Sequence, residues 1–307
     1  MRAAGSRGVR FFAIAGALSL ALAATAASAH NTGWKSGVMR TAVAEPQAFA
    51  NWRGTSLGVA IGWIQWRDGG WRRMYEYASG SDIRALRRAS ANVSLGQPLF
   101  PAGGTVWACA HNQYDANHRE VARRLVANGV GNAEIRLGWE GNGDWFPWAA
   151  AGTDPANWRR CFVNAARAFK SVSPRFRIAW SMSKKGRLDV RKLWPSKENA
   201  RLISNICLSV YADPWVRWGQ ETYEGGPYGL RAWLDFARSK GKKLCIGEWG
   251  VGLHGDDPAF MQKMHDFLTY ARTTGAFAHE AYWNTGKGRL YPTTSVPKAA
   301  ARYRELF

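Results

Sequence analysis

Short apolar runs that alternate with amphipathic segments constrain the fold of this chain more than any other feature. Eight runs are strand candidates: 57–63, 91–95, 105–109, 133–137, 176–180, 206–210, 243–246 and 277–283. Helical patterns lie between several of them, at 117–128, 155–170, 230–239 and 258–272. This alternation predicts an α/β fold with a parallel sheet, and eight strands predict a single (β/α)8 TIM barrel. An open doubly wound sheet is the alternative, although no Gly-rich phosphate loop follows the first run to support a nucleotide-binding version.

The first 29 residues have the pattern of a secretory signal peptide. Arg2, Arg7 and Arg10 precede an uncharged run of small and apolar residues at 11–27, and Ala27-Ser28-Ala29 fits a cleavage site. The run is short for a retained membrane anchor, which is the alternative. We therefore expect a bacterial secreted or periplasmic protein. It would carry one catalytic domain, 30–307, and no integral membrane segment after cleavage.

Charge and tryptophan content narrow the class of ligand. The chain has 42 Lys and Arg against 22 Asp and Glu, a formal charge of +20, and 17 Trp. Removal of the leader takes away three arginines and no acid, so +17 remains on the exported domain. An exported protein seldom meets chromosomal DNA, so a sugar polymer is favoured over nucleic acid as the partner of the tryptophans. The charge favours an anionic polymer or an anionic cell surface.

Other chemistries have weak support. The six histidines form no close ligand pair and no Gly-x-Ser-x-Gly motif is present, so we expect no metal and no cofactor. The four cysteines, Cys109, Cys161, Cys207 and Cys245, could form disulfides in an oxidising compartment. Buried thiols that act as small hydrophobic groups are the alternative, and the spacing does not fix a pairing.

Two glutamates stand where apolar runs end. Glu140 lies in a loop rich in Gly and Trp just after the fourth run, and Glu248 lies just after the seventh. Active sites of TIM barrels lie at the carboxyl ends of the strands, and cleavage of a glycosidic bond requires two carboxylates. The 108 residues between them correspond to three βα units. This places Glu140 on the fourth strand and Glu248 on the seventh when 105–109 is counted. A salt bridge is the alternative role for each.

Neighbouring residues are candidates for binding or supporting a substrate. The predicted substrate contacts are Trp139, Asn142, Trp145, Trp148, Tyr211, Trp249 and Trp283. Tyr211 could also donate a hydrogen bond that keeps Glu248 ionised. Arg136 lies inside a strand, and a buried Arg needs a partner such as a carboxylate of the site. Trp180 is a second supporting residue. For every Trp, packing in the core is the alternative.

Several of these stretches resemble glycoside hydrolase family 26, known for endo-β-1,4-mannanases and including β-1,3-xylanases and mixed-linkage glucanases. The main match consists of two stretches, Asn112-Gln-Tyr-Asp115 and 135–148, which together resemble the acid/base region of that family. Ile246-Gly-Glu-Trp-Gly250 is similar to its nucleophile strand. Further matches lie at 176–181, 209–211 and 282–284, which resemble its fifth, sixth and eighth strands.

The resemblance implies a retaining glycosidase of the (β/α)8 clan, with Glu140 as general acid/base and Glu248 as nucleophile. One site departs from the family pattern. Mannanases of the family carry His before the acid/base glutamate and an aromatic residue or Met after it, whereas this chain has Trp139 and Gly141. The His contributes to sugar binding, so its loss concerns specificity rather than the catalytic pair. We expect a divergent, mannanase-like member.

The sequence therefore predicts a secreted, monomeric, endo-acting β-glycoside hydrolase that cleaves a polysaccharide by double displacement. The positive charge favours an acidic exopolysaccharide as the substrate. A non-catalytic polysaccharide-binding protein on a degenerate barrel is one alternative. A basic envelope protein that acts through its charge is another.

Overall fold

Eight parallel strands close into a barrel in the computed structural model, which describes residues 1, 32–39, 45–186, 188–212, 229–252 and 254–307. The strands are β1 Lys35–Met39, β2 Val59–Trp63, β3 Val93–Gln97, β4 Glu134–Leu137, β5 Arg177–Ser183, β6 Ile203–Tyr211, β7 Lys243–Gly250 and β8 Phe277–Tyr282. They follow chain order around the barrel, and β1 pairs with β8. The predicted TIM barrel is confirmed and the open sheet is wrong. The predicted leader falls outside the described residues, apart from Met1, and stays a prediction.

Helices return the chain from the end of one strand to the start of the next. They are α1 Pro46–Arg53, α2 Gly70–Ala78, α3 Ser81–Ala89, α4 Val106–Ala110, α5 Asp115–Ala127, α6 Pro155–Val172, α7 Leu230–Ser239, α8 Pro258–Thr273 and α9 Pro297–Leu306. The four predicted helical patterns correspond to α5, α6, α7 and α8. Asp154 and Asp257 cap α6 and α8 by accepting a backbone N–H, and each is followed by Pro. In the described part of the chain, no helix is both long and apolar enough to cross a bilayer.

The strand prediction at 105–109 is wrong, because Val106–Ala110 is the helix α4. The Thr105 hydroxyl accepts a hydrogen bond from the Ala108 amide at 3.1 Å and caps the helix, which an apolar run of this length does not reveal. The prediction also missed β1, whose apolar signal is weakened by the Lys35-Ser36-Gly37 start. These two errors cancel in the strand count. Glu134–Leu137 is therefore still the fourth strand and Lys243–Gly250 the seventh.

Two disulfides cross-link the domain and settle the pairing that the sequence left open. Cys109 of α4 is bonded to Cys161 of α6, with a Cα–Cα distance of 4.8 Å. Cys207 of β6 is bonded to Cys245 of β7 at a Cα–Cα distance of 4.5 Å, where these two residues face each other in the strand register. The second disulfide therefore lies between the strands that carry Tyr211 and Glu248.

The barrel interior beneath the carboxyl ends is polar. Glu134 of β4 is fully buried and accepts hydrogen bonds from Ser94 at 2.9 Å and Asn205 at 2.5 Å, and His279 lies 2.7 Å away. Burial alone would raise the pKa of Glu134, but His279, the Asn205 hydrogen bond and the charge of Arg177 together lower it to about 2. Carboxylate, imidazole and sulfur atoms of Glu134, His279, Cys207 and Cys245 lie within 4.8 Å of one another. Because the two sulfurs are bonded to each other, this layer is a cross-linked polar plug below the site.

Candidate active site

Glu140 and Glu248 reach the same end of the barrel from β4 and β7. Both side chains are almost completely buried, with exposed fractions of 8% and 5%. Glu140 stands three residues after β4 with φ +54°, a left-handed conformation that residues other than Gly rarely adopt. Such backbone strain is concentrated at functional sites, where the surrounding fold fixes it.

A register shift between β6 and β7 decides where Glu248 points. Leu208 pairs with Ile246, but the next residue of β6, Ser209, pairs with Glu248, so Gly247 is an extra residue in β7. Side chains alternate between the two faces of a regular strand, so counting from the inward-facing Cys245 would turn Glu248 toward the helices. The extra residue forms a bulge that turns Glu248 into the barrel mouth instead. A Cβ on Gly247 would lie 2.9 Å from Cδ of Arg136, so only Gly fits there without a shift of that side chain.

Glu140 is held by the indole of Trp145. The Trp145 Nε1–H donates a hydrogen bond to Oε2 of Glu140 at 2.6 Å. Burial raises the pKa of Glu140, and the Trp145 hydrogen bond and the charge of Arg136 oppose that rise. A carboxyl with a raised pKa can remain protonated until it donates its proton to a leaving group.

Only one of the two carboxylate oxygens of Glu248 accepts a hydrogen bond from the described residues. The Tyr211 hydroxyl donates a hydrogen bond to Oε1, whereas Oε2 has no partner among the described residues. Burial and the nearby Glu140 carboxylate raise the pKa of Glu248 to about 8; Arg136 and the Tyr211 hydrogen bond act in the opposite direction. Two carboxylates that interact this strongly share their protons as a pair.

Arg136 lies in the barrel between the polar plug and the two glutamates. It is fully buried, and its guanidinium carbon lies 4.7 Å from the ring centre of Trp63. Its Nη2–H donates to the Gly62 carbonyl at 3.4 Å, while Nε and Nη1 have no partner within the described part of the chain. The predicted hydrogen-bonded ion pair with a site carboxylate is therefore not formed. The charge of Arg136 still acts on Glu248 and Glu140 through space.

Three predicted aromatic contacts lie at the mouth. Trp145 is 45% exposed beside Glu140, and Tyr211 and Trp283 are half-buried, with ring centres 6.5 Å apart and planes at 89°. Trp283 also packs edge-on against Trp63, the last residue of β2, at 4.6 Å. The sequence reasoning did not propose Trp63 as a site residue. Its position at the end of the first strand candidate is the signal that could have found it.

Five predicted side chains lie in the interior instead. Trp148 and Trp249 have no exposed surface, so neither offers a face to a sugar, and the prediction that they stack on substrate is corrected. Trp148 donates to the Trp139 carbonyl, and Trp249 donates to Glu280 on the helix side of β8. Trp139 itself is 4% exposed and packs against Trp148. Trp180 is fully buried, as a supporting residue can be, and lies between β5 and α7 against Trp233.

Asn142 is the fifth of these and holds a loop rather than facing the mouth. Its Nδ2–H donates to the Ser183 carbonyl at 2.8 Å, and its Oδ1 accepts from the Ser183 amide at 2.7 Å. Both ends of the side-chain amide are thereby used to tie the loop after β4 to the end of β5. The predicted substrate contact is corrected to a positioning role for that loop.

The packing around Gly141 explains why this chain departs from the family pattern at the position after Glu140. A Cβ at this position would lie 2.5 Å from Cζ2 of Trp158 and 3.0 Å from the Gly138 carbonyl oxygen. Trp158 is fully buried in α6 and donates to the Trp148 carbonyl, so it cannot move aside cheaply. The large residue that family mannanases carry after the acid/base glutamate does not fit here.

Several solved structures with a similar fold are glycoside hydrolases. A modular endo-β-1,4-mannanase from Cellulomonas fimi superimposes with a TM-score of 0.63 over 87% of this chain and 70% of that chain, at 16% identity. A family 26 endo-β-1,4-mannanase from Bacillus sp. JAMB-750 gives 0.62 over 88% and 85% of the two chains, at 14% identity.

A third similar structure is the family 26 β-mannanase BoMan26A from Bacteroides ovatus, with a TM-score of 0.58, 13% identity, and 92% and 90% of the two chains covered. The chain has the fold of the family 26 mannanases. By sequence alone, no protein-family model and no curated protein matches it. At these identities the similarity is one of fold, so the chemistry has to be argued from the residues themselves.

Proposed function

We propose that this protein is a retaining, endo-acting β-glycoside hydrolase, exported to act on a polysaccharide. The observation that carries the proposal is the pair of buried carboxylates, Glu140 after β4 and Glu248 in β7, at the mouth of the barrel. Trp145 donates a hydrogen bond to Glu140 and Tyr211 donates one to Glu248, and the Glu140 carboxylate contributes to the raised pKa of Glu248. The mannanase-like fold supports the same reading.

In this mechanism the pair enters the cycle with one proton. Glu140 holds the proton because burial favours its neutral form. Glu248 must be ionised to attack; burial and the neighbouring Glu140 oppose this form, and the charge of Arg136 and the Tyr211 hydrogen bond favour it. Glu140 protonates the glycosidic oxygen while Oε2 of Glu248, the oxygen without a described partner, attacks the anomeric carbon. Glu140 then removes a proton from water, which hydrolyses the glycosyl-enzyme and restores both groups.

The aromatic rings at the mouth would bind the sugar chain. Trp145 is the exposed ring beside Glu140, and Trp63 and Trp283 form a corner on the β2–β8 side. Flat apolar faces of pyranose rings pack well on indole surfaces, whose burial contributes most of the contact energy. An acidic exopolysaccharide is the substrate class that the charge of +17 on residues 30–307 favours, since opposite charge accelerates encounter.

The proposal is tested by release of reducing ends from a panel of neutral mannan, xylan and glucan and of acidic bacterial exopolysaccharides. At least one polymer should be cleaved, with loss of activity by a factor on the order of 10⁴ in Glu248→Ala, the scale seen when a nucleophile is removed. Azide added to Glu248→Ala with an activated aryl glycoside should yield a glycosyl azide of inverted configuration. Azide added to Glu140→Ala should yield a retained one.

These outcomes separate enzyme from binding protein. Binding of a polymer without release of reducing ends by the unaltered protein would favour the non-catalytic alternative. Hydrolysis that persists in Glu248→Ala would overturn the assignment of the nucleophile, and an exchange of the two azide products would reverse the two roles.

A further inference from the structure

Many basic residues of the described chain lie at the end of the barrel opposite Glu140 and Glu248. Helix C-termini and strand N-termini meet at that end, because each helix returns the chain to the start of the next strand. Seven described helices carry a basic residue in their last turn: Arg53, Arg87, Arg88, Arg124, Lys170, Arg238, Arg272 and Arg304. In those last turns the structure shows one carboxylate, Glu305, and it is paired with Arg302. Arg124 and Arg238 pair with carboxylates of the preceding turn, Glu120 and Asp235.

Part of this surface is a built groove. Arg84, Arg87 and Arg88 of α3 line a concavity of about 460 Å³ together with Ala127, Asn128 and Gly129 at and just after the end of α5. The lining, as far as the structure describes the chain, contains no acidic side chain. The groove therefore presents three guanidinium groups to a ligand without an internal counter-charge.

Two of these arginines are already oriented. Arg84 donates from Nη1 to the Ser79 carbonyl at 2.8 Å and to Oδ1 of Asn128 at 3.3 Å. Arg87 donates from Nε to the Gly129 carbonyl at 3.1 Å, and a Cβ on Gly129 would lie 2.8 Å from that nitrogen. An arginine has five N–H donors, so each keeps donors for a ligand. Anchored side chains lose less conformational freedom on binding than free ones.

The cationic surface continues from the groove across the barrel end. Lys35, the first residue of β1, donates to Oδ1 of Asn92, four residues after Arg88. Arg177 and Lys243 are the first residues of β5 and β7. Partial burial and then the charges of these two residues lower the pKa of Lys35, against an opposing effect of Glu134. These cations are therefore close enough to repel one another, a repulsion that a bound polyanion would relieve.

We propose that this end of the barrel, from Arg84, Arg87 and Arg88 to Lys35, Arg177 and Lys243, is a docking site for a polysaccharide bearing carboxylate groups. The inference rests on the proposed function, in that the docked polymer carries the chains that the opposite mouth cleaves. The fork of a guanidinium matches a carboxylate with two parallel hydrogen bonds, and a groove accommodates a single chain. Docking would keep the mouth at a high local concentration of substrate.

The test measures binding without turnover. Polygalacturonate, whose α-linkages a β-glycosidase leaves intact, and its methyl ester, which keeps the backbone but lacks the charge, are titrated into the full protein at low and at physiological salt. The expected result is binding to polygalacturonate that weakens at least tenfold with salt and is absent for the ester. Equal binding to both polymers would overturn the proposal.

Matched charge reversals locate the surface. The double variant Arg87→Glu/Arg88→Glu should weaken binding of polygalacturonate at least tenfold. The control is the double variant Arg72→Glu/Arg160→Glu, at exposed positions near the starts of α2 and α6, which should weaken binding less than threefold. Equal losses in the two double variants would overturn the location. Arg87→Gln with Arg88→Gln repeats the test without new acids, and thermal unfolding verifies that each variant is folded.

Further outcomes test the class of ligand and separate the docking site from the proposed enzymatic function. Tighter binding to anionic lipid vesicles or to duplex DNA than to polygalacturonate at equal charge concentration would overturn the choice of a polysaccharide. Hydrolysis of a β-glycan by a protein that fails to bind polygalacturonate overturns the docking site and leaves the proposed function standing. Salt-sensitive binding of polygalacturonate without hydrolysis of any β-glycan does the reverse.

Discussion

Tyr211 and Glu248 are joined by a hydrogen bond across two strands, from the phenolic hydroxyl at the end of β6 to Oε1 of the glutamate in β7. The bond leaves Oε2 directed away from Tyr211 and without a partner among the described residues. Because the donor stabilises the ionised carboxylate, this contact opposes the effect of burial on Glu248. Several expectations depend on it.

Tyr211→Phe should impair catalysis by raising the pKa of Glu248 further. A hydrogen bond to a charged group contributes about 1.5–3 kcal/mol, so kcat should fall roughly 10- to 100-fold at neutral pH. The ionised nucleophile would form only at higher pH, so the acid limb of the pH–rate profile should move upward. Tyr75→Phe, which removes a hydroxyl bonded to Asn117 on the outer helices, is the control. An unchanged acid limb would refute the role of Tyr211.

The pH–rate profile of the unaltered protein should be a bell placed at neutral rather than acid pH. The active pair holds one proton, so activity rises as the first proton leaves and falls as the second leaves. Burial raises the pKa of Glu140, and burial together with the neighbouring charge raises that of Glu248 to about 8. Both limbs therefore lie above the pH range in which exposed carboxylates titrate. An optimum below pH 5 in kcat/KM would contradict this expectation.

Trp145→Phe should shift the other limb. The substitution keeps an aromatic face but removes the N–H that donates to Oε2 of Glu140. Since that donor lowers the pKa of Glu140, its loss should raise the pKa and move the alkaline limb to higher pH. Trp107→Phe, at a ring that is 56% exposed on α4, is the matched control. If both variants show the same profile, the Trp145 hydrogen bond does not act on the acid/base.

Glu248→Gln should abolish turnover and stabilise the fold. The folded pKa of about 8 lies above the unfolded value near 4.5, so the native state binds more protons between these pH values. The free energy of unfolding therefore falls as pH rises through this window, by an amount on the order of 5 kcal/mol. Gln removes that titration, so the gain in Tm over the unaltered protein should be larger at pH 8 than at pH 5. A gain that is independent of pH would show that Glu248 ionises normally.

The prediction of the fold from sequence succeeded where one local pattern was strong. Helices such as Pro155–Val172 were recognisable from their apolar face and their Asp-Pro start. The apolar run at 105–109 was misassigned and Lys35–Met39 was missed, because five residues carry too little periodicity to separate a short helix from a strand. The closure of the sheet between β1 and β8 was predicted from the number of strands and not from any particular residue.

The sequence indicated which residues follow the strand ends but not which way their side chains point. The barrel mouth holds five of the residues proposed for the site, because the strand ends of a parallel barrel share one mouth: Glu140, Glu248, Tyr211, Trp145 and Trp283. Trp148 and Trp249 occupy equally suggestive positions in the sequence but are fully buried. Chain position alone does not tell which face of a strand or loop a ring takes.

The sequence by itself determined that the chain forms alternating strands and helices, that two glutamates follow the fourth and seventh strands, and that the charge belongs to residues 30–307. Only the tertiary structure decided which way Glu248 points, because the extra residue Gly247 breaks the two-residue period of β7 through its pairing with β6. Only the tertiary structure placed the cations at the end opposite the glutamates, because that end is assembled from helix and strand termini far apart in the chain.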